Sequence, residues 1–247
     1  MEKELVFAGF GGQGVLTLGL IVAESALELG KQVTWMPAYG PTMRGGKAYS
    51  VVKFSDESIG GPDMEEIDVL VAMNKPSLDY INLVKEGGTV VINTSAIDEN
   101  VTLREDISVV KINCQELAQK VNNPKAANIV VLGALIAKTG LFEKELALKT
   151  IFKEFPEAQV TVFGAFGGRI DHMMSNIFLP SDTDLEPFMS QIRLKDEQNI
   201  VTYLPSGKNQ VSRIEGMSYV SFMPESESTL QISGAKYELN KSNYFKK

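Results

Sequence analysis

Apolar residues along the first 164 positions switch rhythm repeatedly. Short β-branched runs, among them Glu4–Ala8, Gln32–Met36 and Lys47–Phe54, alternate with stretches whose apolar residues recur at helical spacing. The longest such stretch predicts a helix from about Val15 to Leu29, with Gly30 placed to cap it. Leu146–Phe155 predicts another helix and Gln159–Gly164 a strand. This is the alternation of βα units around a mainly parallel sheet. After about Asn199 the helical period disappears. Ile200–Leu204, Gln210–Ile214, Tyr219–Met223, Thr229–Ile232 and Lys236–Leu239 read as short strands, punctuated by Pro205-Ser206-Gly207, Glu215-Gly216, Pro224-Glu225 and Ser233-Gly234. Such spacing predicts an antiparallel sandwich or small barrel. The expected class is therefore α/β: a Rossmann-like, mainly parallel sheet with helices, followed by a small antiparallel β-sandwich-like domain. The expected parts are residues 1–144, a βα segment at 145–180 that ends in the polar connection Pro180–Asp184, and residues 181–247.

Charge divides the chain in the same place. Residues 1–145 carry 13 basic and 19 acidic side chains, 13 − 19 = −6, whereas 146–247 carry 11 and 12, a net −1. The total of −7 argues against a nucleic-acid or anionic-membrane partner, which needs a basic face. One cysteine, Cys114, rules out an internal disulfide or an iron–sulfur cluster held by this chain alone. One histidine, His172, rules out two-histidine metal sites. No apolar run approaches a membrane span and Met1-Glu2-Lys3-Glu4 does not read as a signal peptide, so the expectation is a soluble, cytoplasmic protein.

The first strand runs straight into Gly9-Phe10-Gly11-Gly12-Gln13-Gly14, and a helix follows. Strand, glycine turn, helix is the context a phosphate-binding loop requires: glycines permit the tight turn and let backbone N–H groups face an anion at the helix N-terminus. A βα turn that needs glycine only for steric reasons is the plainer alternative. A dinucleotide would further require a carboxylate at the end of the second strand. No Asp or Glu occurs between Glu28 and Asp56, so the loop fits an anion but not NAD.

A second unusual stretch, Tyr39-Gly40-Pro41-Thr42-Met43-Arg44-Gly45-Gly46, joins the second strand to the third. It should therefore lie near the rim where the glycine loop opens. Arg44, one of two arginines before position 146, could clamp a phosphate or carboxylate bidentately, or could simply cap a turn. With Gly9, Gly11, Gly12, Gln13, Gly14, Tyr39, Gly40, Gly45 and Gly46 it makes up the candidate anion- or cofactor-binding set.

These motifs resemble the gamma subunit of 2-oxoacid:ferredoxin oxidoreductases. The likeness continues through Asp68-Val69-Leu70-Val71-Ala72 and Lys85-Glu86-Gly87-Gly88-Thr89-Val90-Val91, and reaches Asn128–Leu141 with Val131-Leu132-Gly133-Ala134-Leu135. It covers about residues 1–144. The resemblance implies a part in thiamine diphosphate-dependent oxidative decarboxylation of a 2-oxoacid to an acyl-CoA, with electrons passed to ferredoxin. In such complexes thiamine diphosphate and the iron–sulfur clusters sit mainly on other subunits, and the gamma part helps form the CoA region. The implied partners are alpha, beta and ferredoxin-like delta subunits.

In the second half, Gly164-Ala165-Phe166-Gly167-Gly168-Arg169-Ile170-Asp171-His172 suggests a phosphate-handling corner. Arg169 would supply charge and Asp171 metal binding or hydrogen bonds, while a helix start with Asp171 on the dipole is the plainer alternative. His172, without a partner, reads as a packed histidine. The stretch 163–172, with Asn176, Lys195–Asn199, Gly216–Pro224 and Gly234–Tyr237, resembles thiamine pyrophosphokinase over about 146–247. The aspartate-rich and terminal motifs of that family have no counterpart here, so no kinase activity is expected. The leading reading is a gamma-type module fused to an incomplete thiamine pyrophosphokinase tail, inactive alone and holding no cofactor by itself. The alternatives are a thiamine pyrophosphokinase using ATP and Mg, and a non-catalytic chimera. A homodimer through the C-terminal strands is also expected, because unpaired edges invite pairing.

Overall fold

The computed structural model describes residues 2–40, 46–224 and 229–241. They belong to two compact units, residues 1–196 with 200–205, and residues 197–199 with 206–247.

The first unit is built on a six-stranded sheet of β1 (Lys3–Phe10), β2 (Gln32–Tyr39), β3 (Lys47–Ser55), β4 (Ile67–Ala72), β5 (Val84–Asn93) and β6 (Ser108–Ile112). The spatial order is β2-β3-β1-β4-β5-β6. The pairings β1–β4, β4–β5 and β5–β6 are parallel, whereas β3 runs antiparallel to both β1 and β2. The sheet is thus largely parallel, with a β2–β3 hairpin on one side. Only six residues separate Gly40 from Lys47, too few for the crossover that a parallel neighbour requires. β2 is the edge strand, where Pro37 and its missing N–H are tolerated.

Two apolar layers cover the sheet. Leu5, Phe7, Val52, Val69 and Val71 face α1 (Val15–Glu28), α2 (Cys114–Lys120), α3 (Ala127–Thr139) and α4 (Lys144–Glu154). The alternate positions Val6, Ala8, Val51, Leu70 and Val90 pack under Leu78, Tyr80, Ile81 and Leu103, from the 3-10 segment Lys75–Leu83 and the stretch after β5. Strands buried on both faces explain why β1 and β4 read as nearly continuous apolar runs.

The packing continues across the join expected at 144/145. α4 lies on α1, where the Ser25 hydroxyl donates to the buried Thr150 hydroxyl at 3.1 Å. Lys153 bridges Glu24 and Glu28, each at 3.1 Å. Further on, β7 (Val160–Phe163), α5 (Ile170–Ile177), β8 (Ile192–Lys195) and β9 (Ile200–Thr202) build a second layer within the same unit. β7 and β8 are parallel, β8 and β9 antiparallel. Its core is Leu148, Phe152, Leu179, Leu185, Ile192 and Leu194, with the Phe152 and Phe188 rings stacked 4.6 Å apart.

The second unit corrects the sandwich expectation. Its only strands among the described residues are β10 (Leu230–Ile232) and β11 (Leu239–Lys241), an antiparallel pair. Gln210–Ile214 and Tyr219–Met223 form no strand. Their alternation finds neither a partner ladder nor a covering face, and Val211, Tyr219, Val220 and Met223 remain exposed. A strand pattern without those two is not a strand.

Candidate functional site

The candidate site sits where β1 ends and α1 begins. Gly12 and Gly14 have φ of 98° and 73°, a region that glycine alone enters without strain. Among the described residues nothing lies within 4 Å of the place a Gly12 side chain would occupy, so toward them the backbone at the loop tip is open to an approaching group. A Cβ on Gly14 would stand 2.3 Å from the Asn128 amide nitrogen, so this glycine also seats the loop against α3. Gly14 is the N-cap of α1; no side chain caps that terminus and no acid occurs in its first turn. The first N–H groups of a helix have no intrahelical acceptor, and here they keep their partial positive charge facing outward.

Gln13 does something the sequence did not suggest. Its Oε1 accepts from the Phe10 N–H at 2.7 Å and from the Asn74 amide at 2.9 Å, while its Nε2 donates to the Met73 carbonyl at 3.3 Å. It is thus a strut beneath the loop. Asn74 is buried, and its Oδ1 accepts from both the N–H and the hydroxyl of Ser77, capping the 3-10 segment that follows. Asn93 donates to the same Met73 carbonyl at 3.3 Å, and Asn128 to the Gly14 carbonyl at 3.4 Å.

The second motif meets the first at its base. Gly11 N–H donates to the Gly46 carbonyl at 3.0 Å, and Gly40 N–H to the Lys47 carbonyl at 2.7 Å. Tyr39 ends β2 with its ring exposed. Arg44 and Gly45 lie outside the described residues, so Arg44 has no assigned place. The rim supplies two other cations. Lys47 pairs with Asp79 at 2.8 Å, an ion pair that holds its ammonium pKa above the usual lysine value. Lys75 carries no ion pair among the described residues. A shallow indentation of about 10 Å³, no larger than a water-sized niche, lies here, lined by Gly9, Ala48, Asn74, Pro76, Ser77 and Tyr80.

The other glycine motif forms a separate corner between β7 and α5. Gly164, Gly167 and Gly168 all have positive φ, so each glycine has a backbone reason. Arg169 pairs with Asp171, and this guanidinium holds the Asp171 carboxyl below the usual carboxylate range. Both side chains are exposed, and so is His172, which is not the packed histidine expected. Among the described residues no group of three His, Cys, Asp or Glu converges as a metal site. No described helix is long and apolar enough to cross a membrane.

Of the site residues, the glycines were legible as a turn motif. Asn74, Ser77, Asn93 and Asn128 were not. They carry no spacing signal, because they reach the loop from 60 or more residues away or act through it. Cys114 is fully buried, and burial pushes its thiol up to about 12.

Comparison with known proteins adds to this geometry. The family model described as pyruvate ferredoxin/flavodoxin oxidoreductase matches residues 4–163. Subunit VorA of the ketoisovalerate oxidoreductase of Methanothermobacter marburgensis is 40% identical over 146 residues, 58% of this chain and 30% of that one. The chain thus spans about a third of the VorA subunits it matches, 30% and 32% of their length. Subunit KorC of the 2-oxoglutarate synthase of Methanocaldococcus jannaschii is 35% identical over 160 residues, 64% of this chain and 86% of that one. Among solved structures, the gamma subunit of a keto/oxoacid ferredoxin oxidoreductase from Geobacter sulfurreducens superposes with a TM-score of 0.56 at 34% identity, covering 64% of this chain and 87% of that one.

Proposed function

We propose, because the chain belongs to the pyruvate ferredoxin/flavodoxin oxidoreductase family and matches its gamma-type subunits, that it forms the CoA-facing part of a 2-oxoacid:ferredoxin oxidoreductase. The observation that carries this reading is the contact of the two glycine motifs, Gly11 on Gly46, beside an uncapped helix N-terminus. Backbone N–H groups there suit a phosphate of CoA, with the open Gly12 backbone letting it approach. Lys75 and Arg44 would add charge-assisted hydrogen bonds. The chain's part is to bind and orient CoA. Carbanion chemistry belongs to thiamine diphosphate on partner subunits of alpha and beta type, and electron transfer to clusters on those or a ferredoxin-like delta subunit. An iron–sulfur cluster does not fit this chain, whose one cysteine is buried and protonated.

Three measurements test this. Copurification from native cells should recover cluster-bearing partner subunits, and the isolated chain should reduce neither ferredoxin nor viologen dyes with any 2-oxoacid and CoA. Turnover by the purified chain alone would overturn the division of labour. Calorimetry should show CoA binding that NADH does not compete with and that Arg44→Ala weakens by about 1.5–3 kcal/mol, the range of a charge-assisted hydrogen bond. Equal affinity would remove Arg44 from the site.

For about residues 146–247, whose first part the family model also spans, the reading is an incomplete thiamine pyrophosphokinase tail. Its support is the Gly-Gly-Arg-x-Asp-His sequence placed on a strand–glycine turn–helix corner, outside the span of the family model. Turnover of ATP and thiamine would favour the kinase reading over an inactive fusion.

A further inference from the structure

We propose that Gln13 and Asn74 act as one positioning unit that holds the glycine loop in its anion-binding shape. The inference rests on the reading of that loop as a CoA phosphate site and deepens it. A loop with four glycines in six residues is intrinsically loose, since glycine loses the most conformational freedom on ordering. Something must hold it open and pointed outward without neutralising it. Among the described residues the side chains that hold the loop are neutral amides: Gln13 from within, Asn74 through Gln13 from just past β4, and Asn128 from α3. A carboxylate in place of Gln13 would accept the Phe10 N–H but oppose the bound anion, and in place of Asn74 or Asn128 it could not donate the bond made there.

The chain of bonds is continuous. Phe10 N–H is held by Gln13 Oε1, that oxygen also takes the Asn74 amide, and Asn74 Oδ1 takes Ser77. Asn74 and Ser77 are 4% and 3% exposed, so the bonds between them are shielded from competing water, while those of Gln13 are half-buried. A Cβ on Gly9 would stand 2.8 Å from Gln13 Oε1, which shows how tightly the strut is seated against β1. The same Asn74 fixes the start of the segment bearing Lys75. Loop and rim cation are therefore placed by one residue.

The test uses the full chain with Gln13→Ala, Asn74→Ala, the double variant and Asn74→Asp. Asn74→Asp keeps the acceptor for Ser77, removes the donor to Gln13 and adds a negative charge, so it is read by amide exchange and not by CoA affinity. Amide hydrogen exchange is read at residues 9–16 and at Ser77, and CoA affinity by calorimetry. Each single variant should speed exchange at the loop amides by about tenfold or more, and the double variant should be no faster than either single. Asn74→Asp should loosen the loop while Ser77 stays protected. Weakened CoA binding should accompany the loosening in both alanine variants, with strand amides of β4 and β5 unchanged. Unaltered loop exchange, or additive effects in the double variant, would overturn the proposal. Absence of CoA binding by the wild-type chain, with the exchange pattern as expected, would instead overturn the CoA reading and leave the positioning unit standing.

Discussion

Asp68 shows how much one buried charge can matter at the end of a strand opposite the glycine loop. Its carboxylate is 7% exposed and takes Lys85, Lys3 at 3.1 Å and the Glu4 N–H at 2.9 Å. Burial alone would raise its pKa, but the hydrogen bonds from Lys85, the Glu4 amide and Lys3 outweigh burial and hold it below the usual carboxylate value. A folded pKa below the unfolded one means stability that is present above the unfolded value, about 3.9, and lost as pH falls through the folded value. Acid denaturation monitored by circular dichroism should therefore steepen below about pH 4 in the wild type. Asp68→Asn should flatten that limb and cost about 2 kcal/mol at neutral pH, the scale of hydrogen bonds to a charged group. An unchanged acid limb would show that Asp68 is bystander to it. None of this was legible beforehand. Asp68 reads simply as the first polar residue before an apolar strand, and its partners lie 65 residues before it and 17 after.

Elements were more legible than their neighbours. β1, α1, β3, α4 and β7 fall within a few residues of the sequence reading, because period and glycine punctuation act locally. The position of β2 was not read, although the short Gly40–Lys47 span carried the answer: a hairpin, which puts β3 between β1 and β2. Glycine placement gives a sharp test at this scale. Gly14 and Gly30 have the same φ of 73°, but a Cβ at Gly14 would strike Asn128 whereas one at Gly30 would meet nothing within 4 Å among the described residues. Gly30→Ala should cost only the left-handed backbone penalty of about 1–2 kcal/mol. Gly14→Ala should cost more, and should also displace the loop and lower CoA affinity. Equal denaturation midpoints for the two variants would mean that α3 yields freely to the added methyl group.

At the scale of the whole molecule, the composition change near residue 145 was read as a join between domains, yet burial crosses it. Ile151 belongs to the same apolar layer as Leu18 and Val71, and Leu146 and Val160 pack against that layer. Removing α4 would uncover α1. The tail differs in kind. Its strand pattern was legible as alternation, but alternation does not say whether a partner is at hand, and at 206–224 none is among the described residues. Val211, Ile214, Tyr219, Val220 and Met223 are left 42% to 93% exposed on a short stretch. Exposed apolar side chains tend to find another surface, and among the described residues no further strand pairs with β10 or β11, edges that a second copy of the chain could take. The full chain should therefore self-associate in sedimentation experiments, and a 1–205 truncation should sediment as a folded monomer. A 1–144 truncation should lose the α4 layer and melt well below 1–205, since burying one Ile such as Ile151 is alone worth about 2–5 kcal/mol against alanine. A full-length chain that stays monomeric across the micromolar range would show that residues 206–241 are covered within one molecule, and the attribution of self-association to them would fall.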